Sequence, residues 1–342
     1  MPHRTFAWFI LPSLAAMILF IALPIVSVFF QSLYIEHAQV MIAVETCDPF
    51  GCKTEMRVDA DAMAKLTAEA PNGRFNGLAT YTNATHLAFA EVAQTWNTAP
   101  DLRTAVNGIL NLPFYNALLF TLAFTFIVTP ASLALGLAIA LAVDVLPRRL
   151  RGVVIYFTLL PMIVPTLLSA LVLLWMIDQR GIVGWTLQWL FDDPDLSLKA
   201  SPLLTWIVLF VHGTWSGAPF VFIIFYAGLQ TVPKETLEAA MMDGASRFMR
   251  LRLVILPHLA PLASFLFIVS IMDNFRVFET IVGFSASANA SSLSILIYND
   301  LRGGEAPLFA SAAATSMLTI LCIAVLLVPS MVRTWKSFEL KA

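Results

Sequence analysis

Six long stretches almost free of charged side chains dominate this chain and limit what it can fold into. A helix of about 20 apolar residues matches the hydrocarbon core of a bilayer, which is about 30 Å thick. The chain is 59% hydrophobic and only 12% charged over its 342 residues, more apolar surface than a soluble domain of this size can bury. We therefore predict an all-α polytopic membrane protein whose six transmembrane helices cover residues 6–30, 113–143, 153–177, 203–229, 258–284 and 308–332.

The placement of basic residues predicts the orientation in the membrane. Cytoplasmic loops carry an excess of Lys and Arg. When the N-terminus is cytoplasmic, the basic connection 147–151 and the arginines of 247–252 lie inside, and the acidic cluster 192–195 lies outside. The first apolar stretch exceeds the 7–15 residues of a cleaved signal peptide, so it is expected to be retained. We predict that both termini are cytoplasmic. No basic tract suggests a nucleic-acid partner.

The hydrophilic stretch 34–110 is then extracytoplasmic, between the first two spans. Its pattern predicts short strands around the turn Cys47-Asp-Pro-Phe-Gly-Cys52 and a helix over 59–70. Two cysteines outside the cytoplasm, separated by turn-forming residues, favour a local disulfide between Cys47 and Cys52. Two free thiols or half of a metal site remain alternatives, although no second Cys pair or His cluster supports metal binding.

The most informative hydrophilic segment, residues 231–257, connects the fourth and fifth spans. It is too polar to cross a bilayer, and its sequence predicts two short helices joined at Gly244, which can adopt the left-handed conformation that ends a helix. Ser246 can cap the second helix, and Pro257 is expected to bend or end it. Small residues would let another surface approach the backbone closely; these are Ala239, Ala240, Gly244 and Ala245.

The spacing Glu238-Ala-Ala, two residues, Asp243-Gly-Ala and then Leu-Pro resembles the EAA loop of permease subunits in binding-protein-dependent ABC importers. Further matching segments, such as 160–165, 227–234 and 276–279, resemble the maltose- and glycerol-phosphate-type carbohydrate uptake family. The resemblance implies the type I ABC importer permease fold. With the span pattern, it suggests an N-terminal segment with the first transmembrane helix at 1–33, an extracytoplasmic insertion at 34–110 and a permease core at 111–342.

The same resemblance implies a function and a set of partners. The chain would be the permease subunit of a bacterial inner-membrane importer for a carbohydrate or related polyol. Its partners would be a periplasmic solute-binding protein, a second permease subunit, membrane lipid and two ATPase subunits, which bind ATP and Mg. This chain has no complete P-loop, and it would bind no cofactor or metal and have no catalytic site. The implied ATPase-coupling residues are Glu238, Ala239, Ala240, Asp243, Gly244 and Ala245.

Polar and aromatic residues in the fourth and fifth spans are candidates for the substrate pathway, because polar groups in a span usually face a cavity or a partner helix. The candidates are Trp215, Ser216, Asn274, Phe275, Arg276, Phe278 and Glu279.

Other interpretations of these residues remain open. Asp273, Arg276 and Glu279 recur at intervals of three, which equally fits a structural ladder of ion pairs. They would also serve an ion-coupled secondary transporter, although that alternative leaves the segment 231–257 unexplained. A membrane enzyme is a further class, but no H-E-x-x-H or G-x-S-x-G motif supports it.

Overall fold

The computed structural model describes residues 2–48, 51–193, 196–199, 201–302 and 308–339. Within them the chain is mainly helical. The helices that precede the second span are α1 (Pro2–Met17), α2 (Leu23–Ser32), α3 (Ala60–Glu69), α4 (Ala79–Thr82), α5 (Phe89–Thr98) and α6 (Leu102–Leu110). The remaining helices are α7 (Pro113–Val145), α8 (Arg148–Ile163), α9 (Thr166–Ile177), α10 (Ile182–Phe191), α11 (Pro202–Leu229), α12 (Lys234–Met242), α13 (Arg247–Arg250), α14 (Leu256–Phe275), α15 (Glu279–Gly283), α16 (Leu293–Arg302) and α17 (Phe309–Glu339).

Two π-helical turns and two small antiparallel sheets complete the described structure. The π turns, Ile18–Ala22 and Leu251–Ile255, connect α1 to α2 and α13 to α14. The strands are β1 (Tyr34–Ile35), β2 (Met41–Asp48), β3 (Gly51–Val58) and β4 (Arg74–Phe75), with β1 paired to β4 and β2 to β3.

Among the described residues, five helical segments are long and apolar enough to cross a membrane, and a sixth is obtained when the bent pair α8–α9 is counted as one span. The five are Trp8–Ser32, Pro113–Val145, Pro202–Leu229, Arg247–Phe275 and Phe309–Pro329. This agrees with the six predicted spans, but the third is not the continuous helix expected over 153–177. It bends by 97° between α8 and α9, because Val164 precedes Pro165 and is extended, with φ −82° and ψ 128°.

The expectation that Pro257 ends the helix after Ser246 is wrong, whereas a bend at this residue stays a prediction. The helix continues past Pro257 in one span, Arg247–Phe275. The π turn Leu251–Ile255 lies just before the proline, and the N–H of Leu256 bonds to the carbonyl of Leu251. Such a turn widens the backbone where proline removes a hydrogen-bond donor and crowds the preceding turn.

The chain packs as two units, Met1–Asn116 with Leu293–Cys322, and Ala117–Ser292 with Ile323–Ala342. In the first unit, the predicted strands and the helix after Asp59 are confirmed; Asp59 Oδ1 accepts from the N–H groups of Asp61 and Ala62 at 3.0 Å. The hairpin register places Cys47 opposite Cys52. Their side chains lie outside the described residues, so the disulfide stays a prediction, as do the boundaries at 33 and 110.

A buried histidine connects the hydrophilic stretch 34–110 to α17 within the first unit. His86 is 1% exposed, and its Nε2 lies 3.1 Å from both the Ser311 carbonyl and Thr315 Oγ1. Its Nδ1 lies 2.7 Å from Asn83 Oδ1. Burial lowers the pKa of His86, opposed by the Ser311 carbonyl and Asp300, while burial raises the pKa of Asp300. Removal from water disfavours the charged form of both groups.

The core of the second unit forms where α7, α8, α11 and α14 meet. Phe222, Leu259 and Leu266 are buried there with at most 1% exposure. The absence of a side chain at Gly136 lets α7 approach α11 closely, since a Cβ at this position would lie 2.6 Å from Val221 Cγ1. Such small-residue contacts are the usual means of close helix packing in membranes.

Candidate functional site

A polar cavity of about 430 Å³ lies in the second unit, bordered by α7, α9, α11 and the break between α14 and α15. A second cavity of about 350 Å³ shares five lining residues with it and extends towards α8. The shared residues are Thr166, Ser216, Gly217, Asp273 and Asn274. The cavities thus follow the two helices that break within the bundle.

The break after α14 is what exposes the polar groups of the fifth span. The predicted continuous span 258–284 is wrong here, because α14 ends at Phe275 and α15 begins only at Glu279. Phe278 leaves helical geometry, with φ −143° and ψ −61°. Non-helical backbone is tolerated at membrane depth where it lines a cavity or is covered by protein. No Gly or Pro within 275–279 marks the break in the sequence.

Charged side chains lie at the open side of this cavity. Arg276 Nη2 and Asp273 Oδ1 are 2.9 Å apart, but their side chains are 70% and 76% exposed. Such a pair contributes at most about 1 kcal/mol. Glu279 follows the break and does not continue the same helical stripe, so the ladder is interrupted. Among the described residues, no group of three or more His, Cys, Asp or Glu side chains could hold a metal ion.

Neutral hydrogen-bonding groups lie deeper in the cavity. Asn274 Nδ2 donates to Thr129 Oγ1 at 2.9 Å, which fixes the amide. Ser216 Oγ is buried and has no hydrogen-bond partner in the described part of the chain. A buried hydroxyl without a partner costs about 1–3 kcal/mol, so a bound polar molecule that supplies a partner would be favoured at this position.

A buried histidine positions the α9 side of the cavity. His212 is 2% exposed, and its Nε2 lies 3.0 Å from Ser169 Oγ. Since Ser169 donates to the Thr166 carbonyl at 2.9 Å, His212 is the donor of the first bond. Thr166, at the start of α9, is thereby held on α11.

The structure brings five of the seven pathway candidates to this cavity: Ser216, Asn274, Arg276, Phe278 and Glu279. It does not bring the other two. Phe275 is fully buried and Trp215 is 41% exposed, and neither lines the cavity. Sequence reasoning did not identify Thr166 or Phe124, because their approach to the cavity depends on the bend at Pro165 and on the packing of α7 against α11. A Cβ at Gly213 would lie 2.6 Å from Phe124 Cζ, so this glycine serves close packing.

The hydrophilic segment between α11 and α14 forms the predicted pair of short helices. Gly244 has φ +75°, its N–H bonds to the Met241 carbonyl at 3.0 Å, and the N–H of Ala245 bonds to the Ala240 carbonyl at 2.9 Å. This is the Schellman arrangement that ends a helix at a left-handed glycine. Ser246 Oγ accepts from the N–H of Met249 at 3.3 Å, as predicted for a helix cap.

The proposed coupling residues lie on or beside the surface of this pair. Glu238, Ala239, Asp243 and Gly244 are exposed, whereas Ala240 and Ala245 are half-buried. Large apolar side chains lie next to them, with Met242 89% and Phe248 71% exposed. An exposed patch of this composition next to polar residues is typical of a protein contact surface.

Comparison with known proteins decides the family. The family described as "Binding-protein-dependent transport system inner membrane component" matches residues 132–333. The chain belongs to this family. This inner membrane component is therefore a multi-pass transport protein, which confirms the resemblance seen in the sequence. An ion-coupled secondary transporter is not supported.

Several relatives are permeases of named transport systems. The trehalose/maltose transport system permease protein MalF of Thermococcus litoralis is 31% identical over 65% of this chain and 75% of its own length. The trehalose transport system permease protein SugA of Mycobacterium tuberculosis is 33% identical over 62% of this chain and 67% of its own. The sn-glycerol-3-phosphate permease protein UgpA of Agrobacterium fabrum is 30% identical over 62% of this chain and 72% of its own.

A solved structure supports the fold. A chain of a bacterial ABC transporter involved in the import of the acidic polysaccharide alginate aligns with a TM-score of 0.60, covering 81% of this inner membrane component and 96% of that chain. The identity is 17%, so the similarity concerns the fold alone. It confirms the predicted type I importer permease fold.

Proposed function

We propose that this inner membrane component is the permease subunit of a bacterial ATP-driven importer for a carbohydrate or related polyol. The observation that carries the substrate class is the cavity, in which a buried Ser216 Oγ lacks a partner and Asn274 is held by Thr129. The relatives named for trehalose, maltose and glycerol phosphate support the same class.

The cavity lining suits a hydroxylated molecule. Ser216 and Asn274 offer neutral hydrogen-bonding groups, while Phe278 offers an aromatic face for the apolar side of a sugar ring. Arg276 and Glu279 lie towards the open side and contact solvent or the ends of a longer substrate. A second permease subunit completes the pathway.

The segment 231–257 transmits the work of two separate ATPase subunits. The Schellman turn at Gly244 fixes the angle between α12 and α13, so the two helices act as one lever. Glu238 makes an ionic contact with the ATPase, and Ala239, Ala240, Asp243, Gly244 and Ala245 shape the contact surface. ATP and Mg bind to the ATPase subunits, and this chain has no catalytic site of its own.

The remaining partners lie on the opposite side of the membrane. With both termini in the cytoplasm, residues 34–110 face outwards, where a periplasmic solute-binding protein delivers the substrate. The dense basic charge of 147–151 and 247–252 on the cytoplasmic side supports this orientation.

Charge reversal at Glu238 tests the coupling role. The assembled transporter is reconstituted with its binding protein, and ATP-dependent uptake and ATP hydrolysis are measured for the wild type, Glu238→Lys and Glu235→Lys. Both glutamates are exposed on α12, so the second variant is a matched control. We expect Glu238→Lys to lower both activities about tenfold or more, because reversing one partner of a close interfacial charge pair costs several kcal/mol.

Two results would contradict the proposal. If Glu238→Lys supports as much uptake as Glu235→Lys, Glu238 does not make the proposed ionic contact. If uptake continues without any ATPase subunit, the proposal of ATP-driven transport is wrong as a whole.

A further inference from the structure

A groove distinct from the polar cavity lies where α9 ends and α10 begins. Its apolar part encloses about 450 Å³ and is lined by Leu171, Val172, Met176 and Ile182. A more polar part of similar volume adjoins it and shares Trp175, Arg180 and Gly181. The groove therefore joins an apolar channel along a membrane-spanning segment to a charged end beyond it.

Two cations lie at the charged end among the described residues. Arg180 and Lys199 line it there together with one described carboxylate, Asp178. Within the described residues, neither Arg180 nor Lys199 has an ion-pair partner. Two cations next to one carboxylate would attract an anionic group.

The surroundings of the groove match the boundary between lipid and water. The helix α10 has ten residues, too few to span a bilayer. Its Trp185 and Trp189 are 64% and 73% exposed, and Trp175 at the end of α9 is 74% exposed. Tryptophan is enriched at the headgroup level of membranes, where its ring contacts both phases.

The turn that forms the floor of the groove is tightly packed. A Cβ at Gly181 would lie 2.3 Å from the carbonyl oxygens of Trp175 and Met176, and a Cβ at Gly184 would lie 2.0 Å from that of Asp178. Because the backbones of α9 and α10 meet so closely, the groove is a fixed feature of the fold.

We propose that this groove binds one anionic glycerophospholipid, with its phosphate on Arg180 and Lys199 and an acyl chain along the apolar part. A free phosphate would use only the charged end, and a sugar would find no hydrogen-bonding side chain among the four apolar residues. A phospholipid uses both parts, and Asp178 can accept hydrogen bonds from headgroup hydroxyls.

Native mass spectrometry of the assembled transporter tests the site, with phosphatidylglycerol and phosphatidylethanolamine supplied together. We expect retained phosphatidylglycerol in the wild type. Arg180→Gln and Lys199→Gln should each weaken its binding about fivefold, from the usual contribution of one cation at a lipid surface. Arg103→Gln, which removes an exposed cation on α6, is the control and should retain the lipid.

A second variant separates the lipid from a free anion. Val172→Trp fills the apolar part and leaves both cations unchanged, so it should displace the lipid. Equal retention by the wild type and both Gln variants, or a preference for phosphatidylethanolamine, would overturn the proposal. So would binding by the isolated chain but not by the assembled transporter, since another subunit would then cover the groove.

Discussion

A glycine between α12 and α13 can have two physical reasons: the left-handed backbone conformation of the turn, or the close approach of an ATPase subunit to the backbone. Replacing Gly244 distinguishes between them. Its φ of +75° lies in the left-handed region, and a Cβ there would meet no atom within 4 Å. The chain itself therefore has room for a side chain, and the penalty of substitution is conformational. An alanine in this conformation costs about 1–2 kcal/mol, a β-branched valine costs more, and asparagine adopts it more readily.

The informative series is Gly244→Asn, Gly244→Ala and Gly244→Val. If the left-handed turn is what coupling requires, Asn should retain more activity than Ala although its side chain is larger. A difference of about 1 kcal/mol corresponds to about a fivefold difference in the population of the correct turn. The assay is the stimulation of ATP hydrolysis by the substrate-loaded binding protein, with uptake measured on the same proteoliposomes.

Two outcomes would refute this reasoning. If Ala retains more activity than Asn, side-chain volume at the ATPase contact decides, and the close approach of the partner is the reason for glycine. If all three variants couple as the wild type does, the angle between α12 and α13 is not part of the mechanism.

Two further predictions concern the cavity and the hydrophilic stretch 34–110. Asn274→Leu should lower uptake about two- to tenfold, because hydrogen bonding to the substrate is lost. Thr129→Val removes the same internal hydrogen bond, but Thr129 does not line the cavity, so this variant should have a smaller effect. Equal losses of uptake in the two variants would indicate that Asn274 has a purely structural role. Because burial lowers the pKa of His86, the folded state resists its protonation, so stability should fall as pH drops below about 6.5. Asp300, whose pKa burial raises, acts oppositely. The melting temperature between roughly pH 7.5 and 5.5 should fall more for the wild type than for His86→Gln. Parallel curves would contradict the role of His86.

The structure of the segment 231–257 could be predicted from local sequence signals, whereas contacts between residues far apart in the sequence could not be predicted. Gly244 and Ser246 act on neighbouring backbone groups, so their roles follow from short-range chemistry. The contacts of His86 with Ser311 and Thr315 join residues more than 200 positions apart. The N–H of Ala310 donates to Glu36 Oε1 at 2.6 Å, and these two residues are also more than 200 positions apart. No pattern in one sequence identifies such pairs.

The bend at Pro165 and the break after Phe275 also differ in whether a local sequence signal marks them. Pro165 stands in the third span, so a bend there had a local signal, although hydropathy favoured one continuous helix. The break after Phe275 had none, because the residues that follow are neither Gly nor Pro. Its stability comes from tertiary contacts such as Ser292 Oγ, which donates to the Val277 carbonyl at 2.7 Å. The polar candidates were therefore found while the geometry that exposes them was not.

The helices that follow the two breaks, α9 and α15, pack directly against each other. This packing limits how access to the cavity can change. A Cβ at Gly283 of α15 would lie 2.6 Å from Ala170 Cβ and 2.9 Å from the Leu167 carbonyl of α9. Contacts this close leave no room for one segment to slide independently of the other, since packed interiors shift between discrete arrangements. Helical backbone resists bending, whereas the residues at 164–165 and 276–278 have already left the helix. We therefore expect α9 and α15 to move as one body about these two points, so that both walls of the cavity change together when the segment 231–257 is displaced.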